Sequence, residues 1–384
     1  MVIDMYQTVK KNIFTIIFTL TVFTMFAGYL FGDDGEFSVT ENRYLAKRPP
    51  VTLSSLMDGS FMKSFELYTE EQLPLRDGLI KLKAVCCEAA FKNENNGIAK
   101  GKDGHLFEKL INTDRQLKKN SAAIENFAKQ TDRDIYVCIV PNSYEIQKDY
   151  IPAGFPGISQ REYIEELYDE LSTYGNVHTI DLYETLIENA DKYIYYRTDH
   201  HWTTDGAYLG YRKLCDEMGI IPVDKDSEKL GEKRREAEGF YGTYQSKYRG
   251  SIGVKPDTLT YYDIDVAHYE TGGREYDSLY DTDKLDIYDK YAMFMHGNEG
   301  LSTVESAEDE VEGRKGELII FKDSYANCMI PFLTYDYDRI TVIDLRYYPD
   351  PVKELLKEHE DADILLFYNF MHFNEDNHFY RLTS

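Results

Sequence analysis

Apolar residues fall into three patterns along this chain, and each predicts a different kind of element. The first is an unbroken run at residues 13–31, about 19 residues without a charge, long enough to cross a bilayer as a helix. The second is helical periodicity between residues 56 and 90. There Phe61, Phe65 and Tyr68 share one face and Leu79, Leu82 and Cys86 another, and Pro74 is expected to split the stretch into two helices. The third is a series of short apolar runs at 134–140, 177–182, 317–321, 340–345 and 362–368. Such runs mark buried parallel strands. Helical sequence at 161–174, 326–333 and 352–358 lies between them. The alternation predicts an α/β fold, a mostly parallel five-stranded sheet with helices on both faces. In such sheets ligands bind at the carboxyl ends of the strands.

Other stretches depart from the alternation. Residues 41–50 end in Pro49-Pro50 and cannot be helical there. Gly101-Lys102-Asp103-Gly104 is a hairpin-turn signal ahead of His105-Leu106-Phe107. Residues 222–315 contain no helix of useful length. Within them 258–266 alternates like a half-exposed strand and the stretch from 302 to 316 reads as an acidic loop. The whole of 222–315 is expected to be a β-rich insertion near the site.

Charge around the apolar run sets its direction. Lys10 and Lys11 precede it and Asp33, Asp34 and Glu36 follow, which predicts residues 1–12 in the cytoplasm and the body outside. The run exceeds a usual signal core and no small-x-small cleavage site follows it, so a signal anchor at 13–31 is expected rather than a cleaved leader. Residues 37–384 then form one extracytoplasmic domain at the cell membrane.

Composition narrows the partners. The net charge of −25 excludes a nucleic-acid backbone, whose phosphates would be repelled across most of the surface. The 33 tyrosines suit sugar stacking as well as core packing. The cysteines Cys86, Cys87, Cys138, Cys215 and Cys328 are odd in number and form no C-x-x-C pair, which excludes a zinc ribbon or a dense disulfide framework. Cys138 and Cys215 read as small buried hydrophobes, and no cofactor is expected.

Two segments carry candidate chemistry. In Thr198-Asp199-His200-His201-Trp202, an extended chain would put Asp199 and His201 on one face, with His200 and Trp202 on the other. A carboxylate beside an imidazole fixes its tautomer and stabilises the imidazolium formed when it takes a proton. Ala207, Tyr211, Leu214 and Met218 mark the helix that follows, capped by Thr203 or Thr204 and ended by Gly219. In Lys322-Asp323-Ser324-Tyr325-Ala326-Asn327 a buried strand runs into a turn and a helix runs out, the context that presents a nucleophilic serine. The first helical amides there are expected to stabilise an oxyanion. Ser324 as nucleophile, His201 as base and Asp199 as orienter make a complete set of roles. The bland alternatives are a helix cap at Asp323-Ser324 and a structural or metal-binding cluster at Asp199-His200-His201.

These residues resemble the DHHW protein family, which is similar to SGNH-hydrolase-like O-acetyltransferases of alginate biosynthesis. Glu41-Asn42-Arg43, Gln72-Leu73-Pro74-Leu75-Arg76-Asp77, Gly101–Gly104 and Lys322–Tyr325 stand in the order that the family expects. The resemblance implies an SGNH-like fold, the triad Ser324, His201 and Asp199, an acyl-enzyme, and acetyl transfer to a surface polysaccharide. It also implies a membrane acyltransferase partner that supplies the acetyl group. The usual SGNH motif order is permuted here and its Gly and Asn oxyanion blocks are absent from their places. Asn142 and Asn327 are the candidate amide donors, and Trp202, His200 and Tyr325 the candidate substrate contacts. The alternatives are a carbohydrate acetylesterase, a non-catalytic glycan-binding or assembly protein, and a metal phosphoesterase using Asp181 with the Asp-His-His group; no metal is expected.

Overall fold

The computed structural model describes residues 2–41, 43–113, 115–307 and 313–384. Asn42 and part of the acidic stretch 302–316 lie outside the described residues. The chain divides into two units, Met1–Phe91 and Lys92–Ser384.

In the first unit a helix, Val2–Phe31, contains the apolar segment Lys11–Phe31, which is long and apolar enough to cross a membrane. Three further helices follow, Leu53–Met57, Ser60–Glu71 and Arg76–Ala89. The break between the last two falls at Pro74, where the missing amide was expected to split the helix.

Among the described residues the second unit has thirteen strands: three short ones, Glu94–Asn95, Ile98–Lys100 and Leu106–Glu108, form a separate antiparallel sheet, and the other ten follow them in the chain. The first five are β1 (Ile135–Val140), β2 (Val177–Thr179), β3 (Arg234–Phe240), β4 (Asp257–Tyr262) and β5 (Val266–Thr271). The others are β6 (Arg274–Tyr276), β7 (Leu301–Ser306), β8 (Lys315–Lys322), β9 (Tyr337–Ile343) and β10 (Asp363–Asn369). Eight of them form one sheet in the order β6-β5-β7-β9-β8-β10-β1-β2. The five strands expected from the sequence, β9, β8, β10, β1 and β2, are neighbours and run parallel. The sheet is wider than five strands because β7, β5 and β6 add to the β9 edge, all antiparallel. Residues 222–315, expected as an insertion, thus extend the main sheet with three strands, while β3 and β4 pair as a separate ribbon. Residues 302–306, read as acidic loop, are strand β7. Its Val304 is buried while Leu301 is exposed, so pairing with β9 outweighs its polar composition.

Alternation along the strands fills both faces of the sheet. Leu318 and Ile320 of β8 and Leu365 and Phe367 of β10 pack with Ala207, Tyr211 and Leu214 of the helix Thr204–Met218. Ile319 and Phe321, with Ile364 and Leu366, pack on the other side against Ile124, Phe127, Ile164 and Leu167. Each such side chain, fully buried, contributes about 1.5–3 kcal/mol, so these two layers hold the sheet firmly enough to fix its carboxyl edge. Much of the tyrosine content is core: Tyr195, Tyr196, Tyr211, Tyr269 and Tyr337 are fully buried. Cys138 and Cys215 are buried as expected, and all five cysteines are free. The helix expected over 326–333 is instead a 3-10 turn, Ser324–Cys328, followed by Ile330–Leu333, because Pro331 has no amide to continue the first and starts the second.

Candidate active site

Ser324 lies two residues past the end of β8, Asn369 closes β10 and Asn142 lies just past β1. These strands are adjacent, so the three residues share the carboxyl edge of the parallel sheet. Asp323 clamps the Ser324 turn. Its Oδ1 accepts from the Tyr325 amide at 2.8 Å, and its Oδ2 from the Asn369 amide at 2.7 Å. A third partner comes from the helix after β10: His372 Nδ1 lies 3.0 Å from the same Oδ2. Burial would raise the Asp323 carboxyl, but His372 and the two amides outweigh it and hold it down at about 2.

The Asp-His-His segment is a tight loop rather than an extended strand. Tyr195 and Trp202 bridge antiparallel at its neck, and the Tyr196 amide donates to the His201 carbonyl at 3.2 Å. Thr203 caps the helix that follows, accepting from Gly206 N at 3.2 Å, and Gly219 ends it in the left-handed conformation, as the sequence predicts. Because the loop turns, His200 does not point away from His201: their ring centroids are 3.7 Å apart.

The loop brings Asp199, His201 and Ser324 into one hydrogen-bonded line. His201 Nδ1 lies 2.5 Å from Asp199 Oδ1, and His201 Nε2 lies 2.7 Å from Ser324 Oγ. With the carboxylate accepting at Nδ1–H, the free lone pair is on Nε2, facing the serine hydroxyl. Asp199 Oδ2 accepts from Thr243 N at 2.7 Å and Thr243 Oγ1 at 3.0 Å, so each carboxylate oxygen is engaged. Gly242 makes that approach possible, since a Cβ there would come within 2.2 Å of Asp199. Burial would raise the Asp199 carboxyl, but the two imidazoles hold it well below the ordinary range. Burial and the neighbouring His200 push His201 down to about 4 against the pull of Asp199. His201 is therefore neutral at neutral pH, the form that accepts a proton.

The rest of the shell was not legible locally. Tyr291 stacks on His201 with centroids 3.7 Å apart and planes 8° from parallel. Its hydroxyl donates to the Ser324 carbonyl at 2.9 Å, so one side chain touches both His201 and the Ser324 turn. Asp257, buried at the start of β4, accepts from Thr198 N at 2.8 Å and Thr198 Oγ1 at 2.6 Å, and so anchors the residue before Asp199. Only an acidic or aromatic residue inside a polar stretch marks either position in the sequence.

The other expected site residues separate by exposure. His200 is half-buried beside the triad, with Nδ1 2.6 Å from Thr243 Oγ1. Trp202 is fully buried. Its Nε1 donates to the Tyr325 carbonyl at 2.9 Å and its ring packs on Phe367, so it braces the two loops from inside. Tyr325 is also buried, and its hydroxyl donates to the His200 carbonyl. Asn142 donates to Asn369 Oδ1 at 3.1 Å, and Asn327 accepts from the buried Lys322 Nζ at 2.8 Å. Both amides thus support the carboxyl edge from within. The Tyr325 amide is taken by Asp323 and the Ala326 amide by the Asp323 carbonyl, so these two turn amides are not free for an oxyanion.

Asp199, His200 and His201 are close enough to hold a metal ion, their ligand atoms lying within 4.8 Å of one another. Both His201 nitrogens, however, face Asp199 and Ser324. Asp181, the other acidic candidate, accepts from the Tyr183 amide at 2.8 Å as a local turn. A cleft of about 1130 Å³ lies elsewhere, lined by Tyr193, Asp205, Tyr208, Arg212 and Lys225 and by no member of the triad.

A family model described as DHHW protein matches residues 112–343, more than half of the chain. A crystal structure of a DHHW family protein from Eubacterium siraeum aligns over 75% of this chain and 95% of that one, with a TM-score of 0.63 and 24% identity. Bacillus cereus PatB1, solved with a sulfonyl adduct, aligns over 75% of this chain and 98% of its own, with a TM-score of 0.57 and 18% identity. At these identities both likenesses show a shared fold. Probable alginate O-acetylase AlgJ of Pseudomonas fluorescens is 22% identical over 200 residues, 49% of this chain and 50% of that protein. The chain thus spans about half the length of that curated relative.

Proposed function

The chain belongs to the DHHW protein family, and from that premise we propose that it transfers acetyl groups to a cell-surface polysaccharide through an acyl-enzyme on Ser324. The observation that carries the reading is the unbroken Ser324–His201–Asp199 line, with separations of 2.7 and 2.5 Å. Ser324 Oγ attacks the acetyl carbonyl carbon as its proton passes to His201 Nε2, and Asp199 stabilises the imidazolium. The donor's leaving group departs with that proton, which leaves acetyl-Ser324 and neutral His201. A sugar hydroxyl then gives its proton to His201 and attacks the ester. The O-acetyl sugar forms, and the proton returns to Ser324. Likeness to the probable alginate O-acetylase supports a polysaccharide acceptor. The apolar helix with Lys10 and Lys11 before it and Asp33, Asp34 and Glu36 after it supports a single-pass anchor with the body outside, where a membrane acyltransferase would deliver the acetyl group.

The test is turnover of a small acetyl ester by the full chain in detergent, with Ser324→Ala and His201→Ala beside it and each variant's fold checked by circular dichroism. Acetate release lost in both folded variants supports the serine mechanism. Added oligosaccharide then separates transfer, which yields O-acetyl sugar, from an esterase, which yields acetate alone. Release that persists in Ser324→Ala overturns the mechanism, and inertness of all three proteins with every donor favours a glycan-binding role.

A further inference from the structure

The first unit carries an apolar surface that its own packing does not cover. The last turn of the long helix meets the elbow between the helices Ser60–Glu71 and Arg76–Ala89. A Cβ on Gly28 would lie 2.9 Å from Pro74, and Tyr29 Oη donates to the Tyr68 carbonyl at 3.4 Å. Gln72 closes the joint, accepting from Gly35 N at 2.8 Å and donating to Gly35 O at 2.9 Å. Gly28 is three residues from the helix end, about 4.5 Å along the axis, so Pro74 touches the helix inside its last turn.

At this elbow Leu75 has a positive φ of 60° and is 80% exposed. A leucine held in the left-handed region with its side chain in water is an unfavourable arrangement on both counts. The apolar stripe continues up the helix at helical spacing through Leu79, Leu82 and Cys86, and Leu82 is 58% exposed. Met62 and Phe65 on the preceding helix are exposed as well. The polar side of the pair is occupied: Glu71 binds Arg43 at 2.5 Å and Arg76 binds Glu41 at 2.8 Å.

We propose that the Leu75 elbow and the stripe running from it through Leu82 lie in the headgroup boundary of the bilayer, as a second contact with lipid beside the membrane-spanning helix. The proposal rests on the reading of that helix as a span. Lipid is the occupant because the apolar face begins where the span ends, at an elbow joined to the end of that helix by bonds between side chains and backbone. An amphipathic helix in that place buries its apolar face at the acyl boundary and keeps its charged face in water.

Tryptophan quenching tests this on the full chain in phosphatidylcholine–phosphatidylglycerol vesicles containing brominated phosphatidylcholine. The native Trp202 is buried and supplies a constant background. Leu75→Trp, Leu82→Trp and Phe31→Trp are compared; all three positions are exposed, so the replacements leave the core intact. Brominated lipid is expected to lower the added emission about twofold at positions 31, 75 and 82. Quenching at 31 without quenching at 75 and 82 overturns the proposal while the span stands; that face would then belong to water, a second copy or another protein. No quenching at 31 removes the span and the proposal together.

Discussion

Replacing Asp257 with alanine asks how much of the candidate site depends on a residue that touches none of the reacting atoms. The buried carboxylate accepts from Tyr193 Oη at 2.6 Å, Arg197 N at 2.9 Å, Thr198 N at 2.8 Å and Thr198 Oγ1 at 2.6 Å. Burial raises this carboxyl above its ordinary range against the pull of those donors, so removing it also relieves an unfavourable burial. Each buried donor left without a partner costs about 1–3 kcal/mol. With water filling part of the space and the carboxylate's own burial relieved, a net loss of about 2–4 kcal/mol is expected. Thr198 precedes Asp199, so the loop also loses its register, and a shift of about 1 Å in a catalytic group lowers turnover about 100-fold. Asparagine keeps the shape and one acceptor oxygen, so Asp257→Asn should lose less than alanine on both scales. Urea unfolding gives the stability and acetyl-ester kinetics give kcat and KM. An Asp257→Ala protein with unchanged midpoint and unchanged kcat would refute the reasoning.

Burial and His200 hold His201 down at about 4, and the proposed base works only when neutral, so activity should extend into acid. The pH profile of kcat/KM should be level between about pH 5 and 7 and fall below about 4. His200→Ala removes the neighbouring charge that helps hold His201 down and should move that acid limb upward; an unmoved limb counts against the coupling. Gly242→Ala drives a Cβ to 2.2 Å from Asp199 and should cost about 1–3 kcal/mol of stability, with a larger fall in turnover than in KM. Tyr291→Phe keeps the ring over His201 but loses the bond to the Ser324 carbonyl, and should lower kcat about three- to tenfold. Tyr291→Leu, which also removes the ring, should fall further, and equal rates in the two variants would leave the stacking without a role.

What the sequence disclosed follows from how local each signal is. The strands β1, β2, β8, β9 and β10 are legible because a strand buried on both faces needs apolar residues throughout. Strand β7 pairs with β5 and β9 across long separations and carries the polar residues Ser302, Thr303 and Glu305, while β5 and β6 form a short polar hairpin, so their composition reads as loop. The pairing of Asp199 with His201 is a short-range feature, and Ser324 is marked by its strand and turn. Thr243, Gly242, Asp257 and Tyr291 reach the loop only through the folded path of residues 222–315, and nothing next to them in the chain announces it. Trp202, Tyr325, Asn142 and Asn327 have packing partners that the sequence does not show. Their chemistry suits a substrate, but the structure buries them against one another and the sheet.

A serine nucleophile at position 324 is tested by the intact mass of the full chain after treatment with a small sulfonyl fluoride, followed by peptide mapping. One sulfonyl group is expected on Ser324 in the native chain, none in Ser324→Ala, and much slower labelling in His201→Ala, because only a serine activated by the buried imidazole reacts. A native chain that stays unmodified, or one modified equally well when Ser324 is alanine, would contradict that nucleophile.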